Sequence, residues 1–286
     1  IIINPYSYGA AVDEAYSFEY DIDAAADPDV TLFGQSTGGA FNYDIDWGDS
    51  NTDTGVVTND KTHTYAASGL YTVRITGVFP GLEMGRGATA DRIQIKRFLN
   101  WGINPLGGMY RMFHSCTNMT YEATDAPDLS ALVQTSIAYC FQSCTSITEL
   151  NLTDWDVSNV TSFQSLFNSC TDLTLLNVDD WDTSSSVAAG LSHTFYGVGS
   201  VGAGCALSAD NWVTGNATSI NQMFGYAELA SISLENWDMT NSISIDSAFA
   251  FCDGSIALDL SSWTGTGNIT SMSQSWRATE FTNVNL

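Results

Sequence analysis

Residues 152–170 read Leu152-Thr153-Asp154-Trp155-Asp156-Val157-Ser158-Asn159-Val160-Thr161-Ser162-Phe163-Gln164-Ser165-Leu166-Phe167-Asn168-Ser169-Cys170, and the fold of most of the chain follows from them. The stretch places apolar or small residues at Phe163, Leu166, Phe167 and Cys170, a spacing of i, i+3, i+4 and i+7. Upstream the spacing returns at Ile137, Cys140, Phe141 and Cys144, and at Met109, Met112, Phe113 and Cys116. Downstream it returns in copies that begin at Leu191, Ile220, Ile245 and Met272, so that seven first positions lie 25 to 29 residues apart. Such spacing predicts one face of a short helix in each copy. Leu150-Asn151-Leu152 ends three residues before Trp155, and Val178, Leu234 and Leu260 stand three residues before Trp181, Trp237 and Trp263. This predicts a short strand, then a turn in which Asn159 and Thr161 lead into the next helix. One such unit cannot bury its own apolar face, so the copies must stack. The expected repeat core is Phe113, Phe141, Phe167, Phe195, Phe224 and Phe249 with Trp155, Trp181, Trp237 and Trp263. The pattern loosens between Ala206 and Trp212, after the glycine-rich residues 197–204, and at Trp276, which stands where the other copies have Phe.

The unit resembles the BspA-like leucine-rich repeat, whose usual form is L-x-x-W-D-T/V-S-N-V-T-x-M-x-x-M-F-x-x-C. The likeness spans residues 101–286. It implies a solenoid of about seven units of the kind found in surface adhesins of bacteria and in exposed structural proteins of tailed phages.

Ahead of the repeats the periodicity changes to 2. Phe18, Tyr20 and Ile22 alternate with Glu19 and Asp21; Phe41, Tyr43, Ile45 and Trp47 with Asn42, Asp44 and Asp46; Tyr71, Val73 and Ile75 with Thr72 and Arg74. Each run offers one apolar and one polar face, as half-buried antiparallel strands do, and an Ig-like sandwich is expected. Two segments here, Asp46-Trp47-Gly48-Asp49-Ser50 and Thr62-His63-Thr64-Tyr65 with Gly69-Leu70-Tyr71-Thr72-Val73, are similar to the signature of a PKD domain, with Ser50 where that family has Gly. The resemblance implies a spacer or binding module. The expected organisation is an N-terminal arm at 1–13, a PKD-like sandwich at 14–98 and the solenoid at 99–286. Ile93, Ile95, Phe98 and Trp101 are the expected junction. The fold class is mainly β with short helices (α+β).

The chain has 286 residues and a formal charge of −24. Of its eight basic residues only Arg277 lies beyond Arg111, against 18 acidic ones. That balance argues against nucleic acid and against an anionic membrane surface. No apolar run approaches the roughly 18 residues of a membrane span.

Asp44, Asp46 and Asp49 around the Gly48 turn are calcium candidates; the competing reading has Asp46 and Asp49 hydrogen-bond the turn itself. Cys116, Cys144 and Cys170 share one repeat position and are expected as stacked buried thiols, with a disulfide (Cys140–Cys144, or one involving Cys205) as the alternative. Tyr110, Tyr139, Tyr196 and Tyr226 flank the core positions and are candidate ligand-facing rings, with packing between repeats as the plainer reading. No nucleophile elbow, P-loop or dinucleotide fingerprint occurs, and neither a cofactor nor a reaction is expected.

The expected function is therefore that of a non-enzymatic structural or adhesion protein on a tailed-phage virion, as a capsid decoration or tail-associated protein. The opening Ile3-Asn4-Pro5-Tyr6-Ser7-Tyr8-Gly9, similar to a start seen in phage structural proteins, the compact length and the lack of a leader-like segment favour that setting. The alternative is a bacterial cell-surface adhesin for a host protein or glycan. Expected partners are other subunits, met through the arm, the sandwich or an uncapped last repeat, and a host-surface protein or glycan.

Overall fold

The computed structural model describes residues 14–37, 39–213, 217–242, 244–254, 257–279 and 281–285; the expected arm at 1–13 lies outside the described residues. The chain is mainly β. Its first part holds β1 (Tyr16–Ile22), β2 (Asp29–Phe33), β3 (Asn42–Asp46), β4 (Thr52–Val56), β5 (Asp60–Thr64), β6 (Gly69–Val78) and β7 (Ile95–Asn100), with a 3-10 turn at Met84–Arg86 and a short α-helix, α1 (Thr89–Ile93). A six-stranded sheet runs β4-β3-β6-β1-β7 and ends on β8 (Thr120–Tyr121), while β2 and β5 form a separate antiparallel pair. In β3 the period-2 pattern is realised directly: Tyr43 and Ile45 are buried, and Asn42, Asp44 and Asp46 are exposed. Val30 and Leu32 of β2 join the same core. Central β1 is buried along both faces, and its Glu19 is held by a two-pronged ion pair from Arg97 of β7, at 2.6 and 2.8 Å.

The Trp47 corner is tied by its own side chains. Tyr65 donates its hydroxyl to the Trp47 carbonyl at 3.0 Å, and the His63 ring stacks on Trp47 at 4.7 Å. Gly48 and Ser50 both have left-handed backbones, φ 79° and 75°. A Cβ on Gly48 would lie 2.6 Å from the Thr72 carbonyl, so only glycine fits there.

The two parts share a sheet and a core. β8, between the first two repeats, pairs in parallel with β7 (Arg97 with Thr120, Phe98 with Tyr121). Phe98 lies 5.0 Å from Phe113, and Trp101 lies 5.3 Å from Trp155. Ile95, Phe98 and Trp101 are fully buried at this junction; Ile93 is 39% exposed and contributes little.

Beyond it, β9 (Glu149–Asn151), β10 (Leu175–Asn177), β11 (Cys205–Ser208) and β12 (Leu229–Ser233) form one parallel sheet, each strand beside the strand of the next repeat. A second parallel pair follows, β13 (Ala257–Asp259) and β14 (Asn283–Asn285). The repeats build a β-solenoid of about seven turns.

The expected helix of each repeat does not form. Its place is taken by two successive turns. Within the second repeat, Cys140 N–H donates to the Ile137 carbonyl and Cys144 N–H to the Phe141 carbonyl, while Tyr139, Phe141 and Ser143 donate to Gln164, Leu166 and Asn168 of the next repeat at 2.8–3.0 Å. Alternate N–H groups are thus committed to the neighbouring turn of the solenoid, and the i→i−4 bonds of a helix cannot form. The third and seventh residues of every set have positive φ, from Arg111 and Ser115 in the first to Gln274 and Ala278 in the last. Turn pairs keep the apolar positions inward as a helix would, so Phe163, Leu166, Phe167 and Cys170 are all buried. They also let the copies approach closely. Helices pack about 8–10 Å apart, but the Phe rings of consecutive copies stack at 4.8–5.9 Å from Phe141 through Phe167, Phe195, Phe224 and Phe249 to Trp276. That separation belongs to neighbouring strands, about 4.8 Å.

Candidate binding face of the solenoid

Two aromatic columns fill the interior, and side chains of the strands, of the loops and of the outer face of the turn pairs meet solvent. One column is the Phe stack. The other runs Trp155, Trp181, Trp212, Trp237 and Trp263, with centroids 5.2–6.1 Å apart and rings within 17° of parallel. Each indole N–H donates to the previous turn: Trp181 to Leu152, Trp212 to Val178, Trp237 to Ala209 and Trp263 to Leu234. The acceptor stands three residues before the preceding Trp in every case. Trp212, which the repeat pattern did not pick out, is fully buried in mid-column. The glycine-rich 197–204 stretch lengthens its repeat and displaced the register.

All six cysteines are buried free thiols, and no disulfide joins them. Cys144 and Cys170 donate to the Phe113 and Phe141 carbonyls at 3.0 Å. Burial pushes the Cys170 and Cys252 thiols up to about 12, which makes them poor nucleophiles and poor metal ligands.

The carboxylates around Gly48 are engaged by their own loop. Asp44 accepts from Gly55 N–H at 2.7 Å and Asp46 from Gly48 N–H at 2.9 Å. Asp49 accepts from the backbone and side chain of Asn51 and meets His63 Nε2 at 2.9 Å. Among the described residues no group of three or more His, Cys, Asp or Glu side chains converges as metal ligands would. In the solenoid the aspartates close turns: Asp156, Asp182, Asp238 and Asp259 each accept from the N–H two residues on. Asp179 and Asp210 receive serine hydroxyls and backbone N–H groups of the following turn.

The four candidate tyrosines fall on the outer face of the turn pairs in two groups. Tyr110 and Tyr139, on the first two copies, meet edge to face at 5.7 Å, and the Arg111 guanidinium lies over both rings. Tyr196 and Tyr226, on the fourth and fifth, are 5.2 Å apart, and Phe251 of the sixth stacks on Tyr226 at 4.7 Å. Arg277 of the seventh covers Phe251 at 5.0 Å. A groove of about 250 Å³ opens there, lined also by Gln222 and Gln274. The repeat pattern does not single out Phe251 or the two glutamines, although Phe251 occupies the same place in its copy as Tyr226. His193, beside Tyr196 at 5.6 Å, is half-buried, and burial holds its imidazole below the usual range.

The family described as "Mycoplasma protein of unknown function, DUF285" matches residues 107–200 and again 189–286, well over half of the chain. The chain belongs to the DUF285 family. The two DUF285 matches cover the turn pairs from Met109 onward, and residues 1–106 lie outside both. No curated protein and no solved structure matches the chain. The DUF285 repeat is thus, in this chain, a strand, a Trp turn and a turn pair, with its core carried by the two ring columns. Among the described residues no helix is long and apolar enough to cross a membrane.

Proposed function

We propose that this DUF285 chain is a non-enzymatic structural and binding protein, displayed on the outside of a tailed-phage virion as a capsid decoration or tail-associated protein. In this reading the PKD-like first part is the attachment and spacing module, and the solenoid is a stiff arm that presents its turn-pair face. The observation that carries the reading is the way the solenoid spends its side chains. Its Phe and Trp columns are stacked inside, its aspartates close turns, and the outer strip of rings and amides from Tyr196 to Arg277 is left facing solvent. Such a surface suits adhesion better than chemistry, which needs convergent groups with shifted proton affinities in an enclosed site.

The family match favours a second setting. A description that names Mycoplasma proteins points to a cell rather than a particle, and a bacterial surface adhesin for a host protein or glycan would use the same face. Quantitative mass spectrometry of purified phage particles and washed cell envelopes separates the two. A fixed copy number relative to the major capsid protein supports the virion reading. Recovery from envelopes alone replaces it with the adhesin, and absence from both overturns surface display.

A further inference from the structure

The strip on the fourth to seventh copies contains rings that the ladder does not require. The seventh residue of each turn pair has a left-handed backbone, and four copies fill it with Ser115, Ser143, Ser169 and Gly197. Gly197 marks the slot as one that folds with no side chain at all, in a conformation glycine adopts freely. The fifth and sixth copies place Tyr226 (φ 56°) and Phe251 (φ 58°) in that slot. For bulky side chains such a φ is an outlier, and retained strain of this kind clusters at ligand-binding sites.

The surroundings specify a ligand chemistry. Tyr226, 49% exposed, and Phe251 form a platform with rings 21° from parallel. Arg277 lies over its end, and its Nη1 donates to the Gln274 side-chain oxygen at 3.0 Å. Gln222 and Gln274 supply planar amides to the groove, and no carboxylate lines it among the described residues. Flat rings flanked by amides and a guanidinium match a pyranose, with its C–H face on the rings and its hydroxyls on the polar groups. A volume of about 250 Å³ suits one or two sugar units rather than a folded partner, which needs a much wider surface. Consecutive copies repeat at about 4.8 Å, comparable with the length of a sugar unit, so a chain of sugars can lie along the strip.

We infer that the groove formed by Tyr226, Phe251, Gln222, Gln274 and Arg277 is a carbohydrate-binding site for a neutral glycan chain laid along the solenoid axis. The inference rests on the surface-display reading and gives that surface its ligand class. The test is calorimetric titration of the full chain with laminarihexaose, cellohexaose, maltohexaose and mannohexaose. Saturable binding of at least one is expected, weakened tenfold or more by Tyr226→Gly and by Phe251→Gly. Both variants should keep the native circular dichroism, because glycine suits the backbone at these positions. Binding of none of the four, or binding that both variants retain, overturns the inference while leaving the surface assignment to the particle and envelope measurement. Absence of the chain from both particles and envelopes would remove the display reading without touching a measured sugar affinity.

Discussion

The Trp212 indole N–H donates to the Val178 carbonyl at 2.8 Å, and its ring lies 5.9 Å from that of Trp181. One side chain thereby links two turns of the solenoid by both a stack and a hydrogen bond, and the same bond recurs at Trp181, Trp237 and Trp263. A stack alone would allow rotation about the axis; the N–H bond to a fixed carbonyl removes that freedom.

Trp212→Phe keeps a ring but leaves the buried Val178 carbonyl without its donor. The expected cost is about 1–3 kcal/mol. Trp212→Ala also removes the stack and opens a cavity, for about 3–5 kcal/mol. Guanidinium unfolding followed by circular dichroism checks the order; no loss in Trp212→Phe would mean that the hydrogen bond contributes nothing, and equal losses in the two variants that the stack adds nothing to it.

Acid should weaken the fold in two steps. Burial holds the His193 and His114 imidazoles below the usual range, with Arg111 and Arg92 adding to the effect at His114. A depressed folded value means the unfolded chain takes up protons first, so this contribution is present above about pH 6.5 and is lost as pH falls through the folded values. At Asp49 burial acts upward, but hydrogen bonds from His63 and Asn51 outweigh it and lower the carboxyl; Asp156 is lowered by the Ser158 hydroxyl and N–H. Their contribution is present above about pH 4 and is lost as pH falls through the folded values. Melting temperatures measured from pH 8 to pH 3 should decline first below about 6.5, and His193→Gln should reduce that first step. A melting temperature flat from pH 8 to pH 5 would contradict the histidine assignment.

The thiols should be silent in the folded chain. Burial raises all six, Cys205 and Cys252 to about 12, and none is paired. Ellman's reagent at pH 8 should label none rapidly in the native protein and all six in denaturant, with no change in melting temperature on adding reductant. Rapid native labelling would place at least one thiol at the surface.

The sequence made the inward positions readable because apolar residues recur at one register whatever backbone carries them. Phe113, Phe141 and Phe167 are found where periodicity puts them. The backbone itself was not readable from that signal. Two turns in succession bring i, i+3, i+4 and i+7 to one side just as a helix does, and the deciding factor is a hydrogen bond to a residue some 25 positions away, such as Phe141 to Leu166. Trp212 was hidden by the longer repeat before it. Phe251 was hidden because a Phe two residues after the inward Phe249 gives no sign in the sequence of which way it faces.

The turn-pair ladder underlies the columns, the left-handed slots and the strip they display, and hydrogen-bond scalar coupling across Phe141 tests it directly. In a deuterated, isotope-labelled sample a through-bond correlation is expected from the Phe141 amide nitrogen to the Leu166 carbonyl carbon, across the 3.0 Å bond. A correlation to the Ile137 carbonyl carbon instead would establish a helix in each repeat and contradict the ladder.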